Sequence, residues 1–112
     1  MIILNETVQV EEGVHDRWVA WLNETHIPAM MATGIFSSYK ICQLLGINRE
    51  GDQVVTYAVQ YTAPDMQALH AYQVHYAPQF SSDMTQQFGE TALAFRTLLR
   101  VLEEGTPTAT PD

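Results

Sequence analysis

The chain has 112 residues, a length that fits one domain of the usual roughly 100 to 200 residues. Hydrophobic residues make up 46% and charged residues 16%, a balance that can bury a core and excludes a disordered or fibrous chain. Five Lys and Arg against thirteen Asp and Glu give a net charge of -8, which repels nucleic-acid phosphates and anionic lipid headgroups, so neither nucleic acid nor a membrane is expected as a partner.

Residues 2 to 10 alternate in the manner of a strand, with Ile2, Leu4, Val8 and Val10 on one face and Ile3, Asn5, Thr7 and Gln9 on the other. Glu6 falls on the apolar face. An ionised carboxylate there is costly unless it is protonated or paired. Arg96 and Arg100 are the expected partners; a direct pair within the sheet is not assured, which leaves a pair within the sheet and one across a dimer both open.

From Val14 to about Ala32 the period becomes helical, placing Val14, Trp18, Trp21, Leu22, Thr25 and Ala29 on one arc. Pro28 predicts a kink or break, and Gly34 closes the segment. Phe36 to Leu45 and Val54 to Tyr61 read as the two strands of a hairpin, joined through the turn residues Gly46, Asn48, Gly51 and Asp52. Thr62-Ala63-Pro64-Asp65 has the spacing of a capping box, so a helix is expected to start there. Its buried face holds Leu69, Tyr72 and Tyr76, and Pro78 interrupts it before a further helical stripe of Phe80, Met84 and Phe88. Thr91 to Glu103 fits both a helical stripe (Ala92, Phe95, Leu99, Leu102) and strand alternation (Leu93, Phe95, Thr97, Leu99, Val101), and periodicity alone leaves it open. The single domain is taken as residues 1–103, with 104–112 a mobile tail lacking an apolar pattern.

A final strand gives the order βαββαβ, the ferredoxin-like α+β arrangement of a four-stranded antiparallel sheet with helices on one face. A final helix would leave three strands. The strand is preferred because right-handed crossovers and a central hairpin then give each element a neighbour. The other sheet face would be left open, with Ile3, Ser38 or Thr56, Ala58 and Leu98 too apolar or small for a solvated surface, so a homodimer through the sheets is expected.

Certain stretches carry a resemblance: Met1-Ile2-Ile3 with Asn5, His26-Ile27-Pro28, Met31-Ala32-Thr33-Gly34, Phe36-Ser37-Ser38-Tyr39, Tyr57-Ala58-Val59-Gln60-Tyr61, His75 with Ala77-Pro78, and Ala94-Phe95-Arg96-Thr97-Leu98-Leu99. Together the chain resembles a family of short uncharacterised bacterial proteins, a domain of unknown function in the dimeric α+β barrel group. The resemblance runs nearly to Leu102 and implies a final strand and dimerisation, with no assigned activity. That wider group includes cofactorless monooxygenases, haem-dependent enzymes, small isomerases and ligand-sensing modules, among which fold does not choose. Position 6 departs from the family pattern, where an apolar residue is usual.

His26-x-Pro28 and His75-x-x-Pro78 end the two helical patterns in similar ways. Either imidazole could face a space between helices and sheet and act as a general base, so both are the candidate catalytic residues. The alternative is a helix-end ring that bonds carbonyls freed by the proline. Trp18, Tyr39, Tyr57 and Tyr72 are the candidate ligand-binding walls of an aromatic pocket, against the alternative of a Tyr-rich core or dimer interface.

Metal binding is not expected: Glu12-x-x-His15 is a single carboxylate-histidine pair, and His70 and His75 lie on different helix faces. No Walker loop, Gly-x-Ser-x-Gly or Gly-x-Gly-x-x-Gly occurs, so no cofactor is expected. Cys42 has no partner for a disulfide and the acidic start lacks a basic leader region, so a cytoplasmic protein is expected. Two readings follow: a small dimeric barrel that binds or transforms a small hydrophobic or aromatic molecule, or a self-associating interaction or regulatory module without catalysis.

Overall fold

The computed structural model describes residues 1–46 and 53–107. The predicted turn residues Asn48, Gly51 and Asp52, and the tail from residue 108 onward, lie outside the described residues. The elements are β1 (Ile2–Glu11), α1 (His15–Trp21), a π-helical turn (Leu22–His26), α2 (Ile27–Ala32), β2 (Ser38–Gln43), β3 (Val54–Ala63), α3 (Met66–His75), α4 (Ala77–Phe88) and β4 (Ala92–Arg100). The segment left open by periodicity is therefore a strand. The four strands lie in the order β2-β3-β1-β4, with each neighbouring pair antiparallel. This is the ferredoxin-like arrangement.

The even residues of β1 supply the core because alternation sends them all to one face. Ile2, Leu4, Val8 and Val10 are buried with Val59, Tyr61 and Ala63 of β3 and Ala92 of β4. Trp18, Leu22, Ile27, Met30, Leu69, Tyr72 and Phe88 complete that cluster from the helices. Arg17 clamps α1 to the end of α4, its guanidinium 4.5 Å from the centre of the Phe88 ring and its Nη1 donating to the Gln87 carbonyl at 3.1 Å.

The first helical segment corrects the sequence reading. A regular helix would align Thr25 and Ala29 with Trp18 and Leu22, yet Thr25 is exposed and Ala29 only half-buried, while His26, Ile27 and Met30 are buried. The π turn explains this: its wider loop, closed by Ile27 N–H to the Leu22 carbonyl, takes one extra residue and re-phases all that follows. Pro28 sits in the first turn of α2, where its missing N–H is tolerated, so the helical path continues through it. Gly34 then ends the segment at φ 75, where any other residue would be strained.

Two further expectations are corrected, and one left open is settled. Thr62 and Ala63 belong to β3, so Thr62 caps nothing; Asp65 is itself the cap of α3, its carboxylate accepting from Ala68 N–H at 2.8 Å. A short carboxylate placed just before the first turn reaches an unpaired amide directly. Leu98 stands opposite Leu4, on the helix-covered side, whereas Leu93, Phe95 and Leu99 take the open face beside Gln9, Thr7 and Ile3. Thr56, on that open face, is buried. Most consequentially, β4 runs beside β1 and sets Arg96 directly opposite Glu6, so their pairing forms within one chain rather than across a dimer.

Candidate functional site

Glu6, His26 and Arg96 meet beneath the helices. Arg96 Nε donates to Glu6 Oε2 at 3.1 Å, and His26 Nε2 lies 3.4 Å from Glu6 Oε1. Glu6 is 5% exposed and His26 9%, while the Arg96 side chain is 37% exposed and reaches toward the edge of the sheet. A carboxylate only accepts, so the hydrogen bond between His26 and Glu6 has Nε2–H as its donor. Among the described residues Nδ1 has no hydrogen-bond partner.

Each member is placed by a local feature already described. Strand alternation turns Glu6 inward, the antiparallel register brings Arg96 opposite it, and the π turn carries His26 down onto it. The imidazole is packed from two sides: Trp21 stacks on it at 4.9 Å and 18°, and Phe80 meets it edge-on at 5.9 Å.

Two cavities adjoin at this ring. The outer, of about 140 Å³, is walled by Trp21, Thr25, His26, Ala29, Phe80 and Asp83, with Gln86 and Gln87 at its rim. The inner, of about 10 Å³, touches Glu6, Trp18, His26 and Arg96 and is otherwise closed by apolar side chains such as Val8, Val59 and Met84. Trp21, His26 and Phe80 line both.

The surroundings are dry enough to move titrations. Burial raises the Tyr61 and Tyr72 hydroxyls well above the ordinary tyrosine range, the Glu6 charge adds to both, and Arg96 opposes it. Tyr61 Oη and Trp18 Nε1 are buried without a hydrogen-bond partner among the described residues.

The profile of the family described as a domain of unknown function, DUF4286, matches residues 1–102. The chain belongs to this family. A search of curated proteins gave no match. Among solved structures, this DUF4286 chain is similar to HapK from Hahella chejuensis, with a TM-score of 0.67 and 11% identity over 97% of this chain and 100% of the other. It is similar to a dimeric ferredoxin-like protein from an uncultured marine organism, with a TM-score of 0.68 and 12% identity over 93% and 98% of the two chains. It is also similar to an ethyl tert-butyl ether d (ethd) family protein from Bacillus halodurans c-125, with a TM-score of 0.63 and 12% identity over 91% and 100%. At such identities the likeness carries the ferredoxin-like fold alone. No helix among the described residues is long and apolar enough to cross a membrane.

Of the residues singled out in the sequence, His26 and Trp18 line the inner cavity of the DUF4286 chain. Tyr72 is buried beside it, packed on Phe36 at 5.1 Å and Phe80 at 6.3 Å. Tyr57 forms a second small cluster, stacked on Trp18 at 5.3 Å with its hydroxyl 2.6 Å from His15 Nε2; partial burial, then Asp16, raises its pKa. Tyr39 lies on the edge strand, 49% exposed, and His75 is exposed at the end of α3; neither lines these two cavities. Trp21 and Phe80, which sandwich His26, were visible in the sequence only as members of apolar stripes, and Asp83 in the outer wall carried no signal at all.

Proposed function

We propose that this protein is a homodimer that binds a small, ring-sized, weakly acidic molecule between helices and sheet and takes a proton from it at His26. The observation that carries this reading is the position of His26, held by Glu6 on one nitrogen while its ring lines both cavities. A base oriented by a carboxylate in a dry pocket is the usual arrangement for general-base chemistry, and apo hydrogen bonds as long as 3.4 Å commonly tighten when ligand binds. The outer cavity of about 140 Å³ is small beside pockets of roughly 300 to 1,000 Å³ for drug-sized ligands, which favours a single ring over a larger compound. Proton transfer to the imidazole is complete without a cofactor.

Self-association rests on a separate observation. Leu93 is 47% exposed, Phe95 61% and Leu99 42%, all on the open sheet face, and such an apolar strip on a half-covered sheet calls for a second copy. Solved neighbours described as dimeric ferredoxin-like proteins support the same reading.

Calorimetric titration with simple phenols and enolisable ketones tests the site. Wild type and His75→Ala are expected to bind alike, and His26→Ala to lose binding at least tenfold while staying folded by circular dichroism. Equal binding by wild type and His26→Ala, or no binding of any such compound by wild type, overturns the reading. Light scattering tests the dimer, and a mass near 12.6 kDa at micromolar concentration would count against it.

A further inference from the structure

The inner cavity has a chemical polarity that its size makes selective. At about 10 Å³ it has room for roughly one water-sized atom. Two of its walls carry donors, and one of these is buried and unpartnered among the described residues. Trp18 Nε1–H is buried without a partner among the described residues, and an indole nitrogen can only donate. Arg96 spends Nε on Glu6, and its terminal nitrogens make no hydrogen bond among the described residues. The acceptor among these walls, Glu6, already takes Arg96 and His26. An atom that fits here is therefore an acceptor, with Arg96 offsetting the Glu6 charge beside it.

We infer that the inner cavity is an oxyanion pocket, which seats the hydroxyl oxygen of a small phenol or enol beside Trp18 Nε1–H and Arg96 while His26 removes its proton. This deepens the proposed function and rests on it. The O–H bond breaks, its electron pair stays on oxygen, and the proton joins His26 Nδ1; nothing is oxidised or reduced. The ring of the ligand lies in the outer cavity, of which Trp21 and Phe80 are walls. Asp83 in the wall of that cavity and the net charge of -8 oppose an anion on the way in, so the substrate class is a weak acid that enters neutral and ionises only inside. Tyr61 is a built-in comparison: its hydroxyl is equally buried and unpartnered and its ring lies 6.4 Å from that of His26, yet it is not a wall of either cavity.

The test uses para-nitrophenol, whose neutral and ionised forms absorb at different wavelengths, at a pH about one unit below its ionisation in water. Bound to wild type it is expected to show the phenolate band, and the indole N–H proton of Trp18 is expected to move downfield on binding. Trp18→Phe keeps an aromatic ring but removes the donor; affinity should fall about tenfold and the bound probe should return to its neutral band. Tyr61→Phe should match wild type in both. Neutral bound probe in wild type, an unmoved Trp18 indole proton, or phenolate bound as tightly by Trp18→Phe would each overturn the oxyanion pocket while leaving phenol binding intact. Failure of wild type to bind para-nitrophenol or any other simple phenol would overturn the proposed function as well. The indole proton reports on wild type alone, so the answer does not depend on the variant folding.

Discussion

The two proline-marked helix interruptions look alike in sequence and behave in opposite ways. At His26-x-Pro28 the helix widens into a π turn and continues, and the extra residue turns His26, Ile27 and Met30 into the core. At His75-x-x-Pro78 the backbone leaves helical geometry at Tyr76, with φ -127 and ψ -39, and α4 begins anew; His75 stays exposed. The difference teaches that a proline marks where a helix must adjust, while the packing on either side decides how. Before Pro28 the chain has Leu22 and Trp18 buried against the sheet and Met30 still to bury, so absorbing a residue costs less than breaking off.

The contrast can be broken most directly through packing. Met30 is fully buried only because the π turn re-phases α2, so Met30→Ala should cost about 2–5 kcal/mol in urea unfolding. Val74, one residue before His75 and 55% exposed, should change stability by less than about 0.5 kcal/mol as Val74→Ala. Similar losses at both sites would remove the distinction.

The electrostatic side comes next in size. Arg96→Leu leaves the Glu6 carboxylate buried with only His26 beside it, and should cost about 3 kcal/mol. Replacing Glu6 by Leu as well removes the stranded charge and should recover most of that loss, which a double-mutant cycle measures. At the other interruption His75→Leu should leave the unfolding midpoint nearly unchanged. A smaller effect is expected where α3 starts: α2 grows out of the π turn without a capping side chain, but α3 depends on Asp65, and Asp65→Ala should lower stability by about 1 kcal/mol in thermal melts.

The smallest effect is one of pH. Tyr61 and Tyr72 have hydroxyls raised above 10.0 in the folded chain, so the protonated form is the one the fold favours. Their contribution is fully present below pH 10.0 and is lost as pH rises beyond it, because the unfolded chain then gives up protons that the folded chain retains. Tyr61→Phe should make the alkaline limb of the stability curve shallower while changing neutral stability by less than about 1 kcal/mol, since the hydroxyl has no partner to lose among the described residues. An unchanged alkaline limb would show that Tyr61 ionises as freely as in the unfolded chain.

Much of the architecture was legible in the sequence because it is local. Alternation in β1 and β3, the stripe of Leu69, Tyr72, Phe80, Met84 and Phe88, and the left-handed glycine at Gly34 each follow from the backbone geometry of a few consecutive residues. Even the unusual feature of the site was visible as a flaw in a pattern, since Glu6 interrupts an otherwise apolar face. Which cation answers Glu6, which histidine reaches it, and which aromatic rings close over both were settled by tertiary structure. Arg96 and Arg100 share one face of β4, and only the register with β1 puts Arg96 across from Glu6 and Arg100 across from Ile2. His26 and His75 have matching local contexts, and only the core that Met30 and Ile27 must enter selects a π turn at the first. A period reports the direction in which a side chain points, but a partner 90 residues away along the chain, as Arg96 is from Glu6, is fixed by how the strands are ordered and aligned.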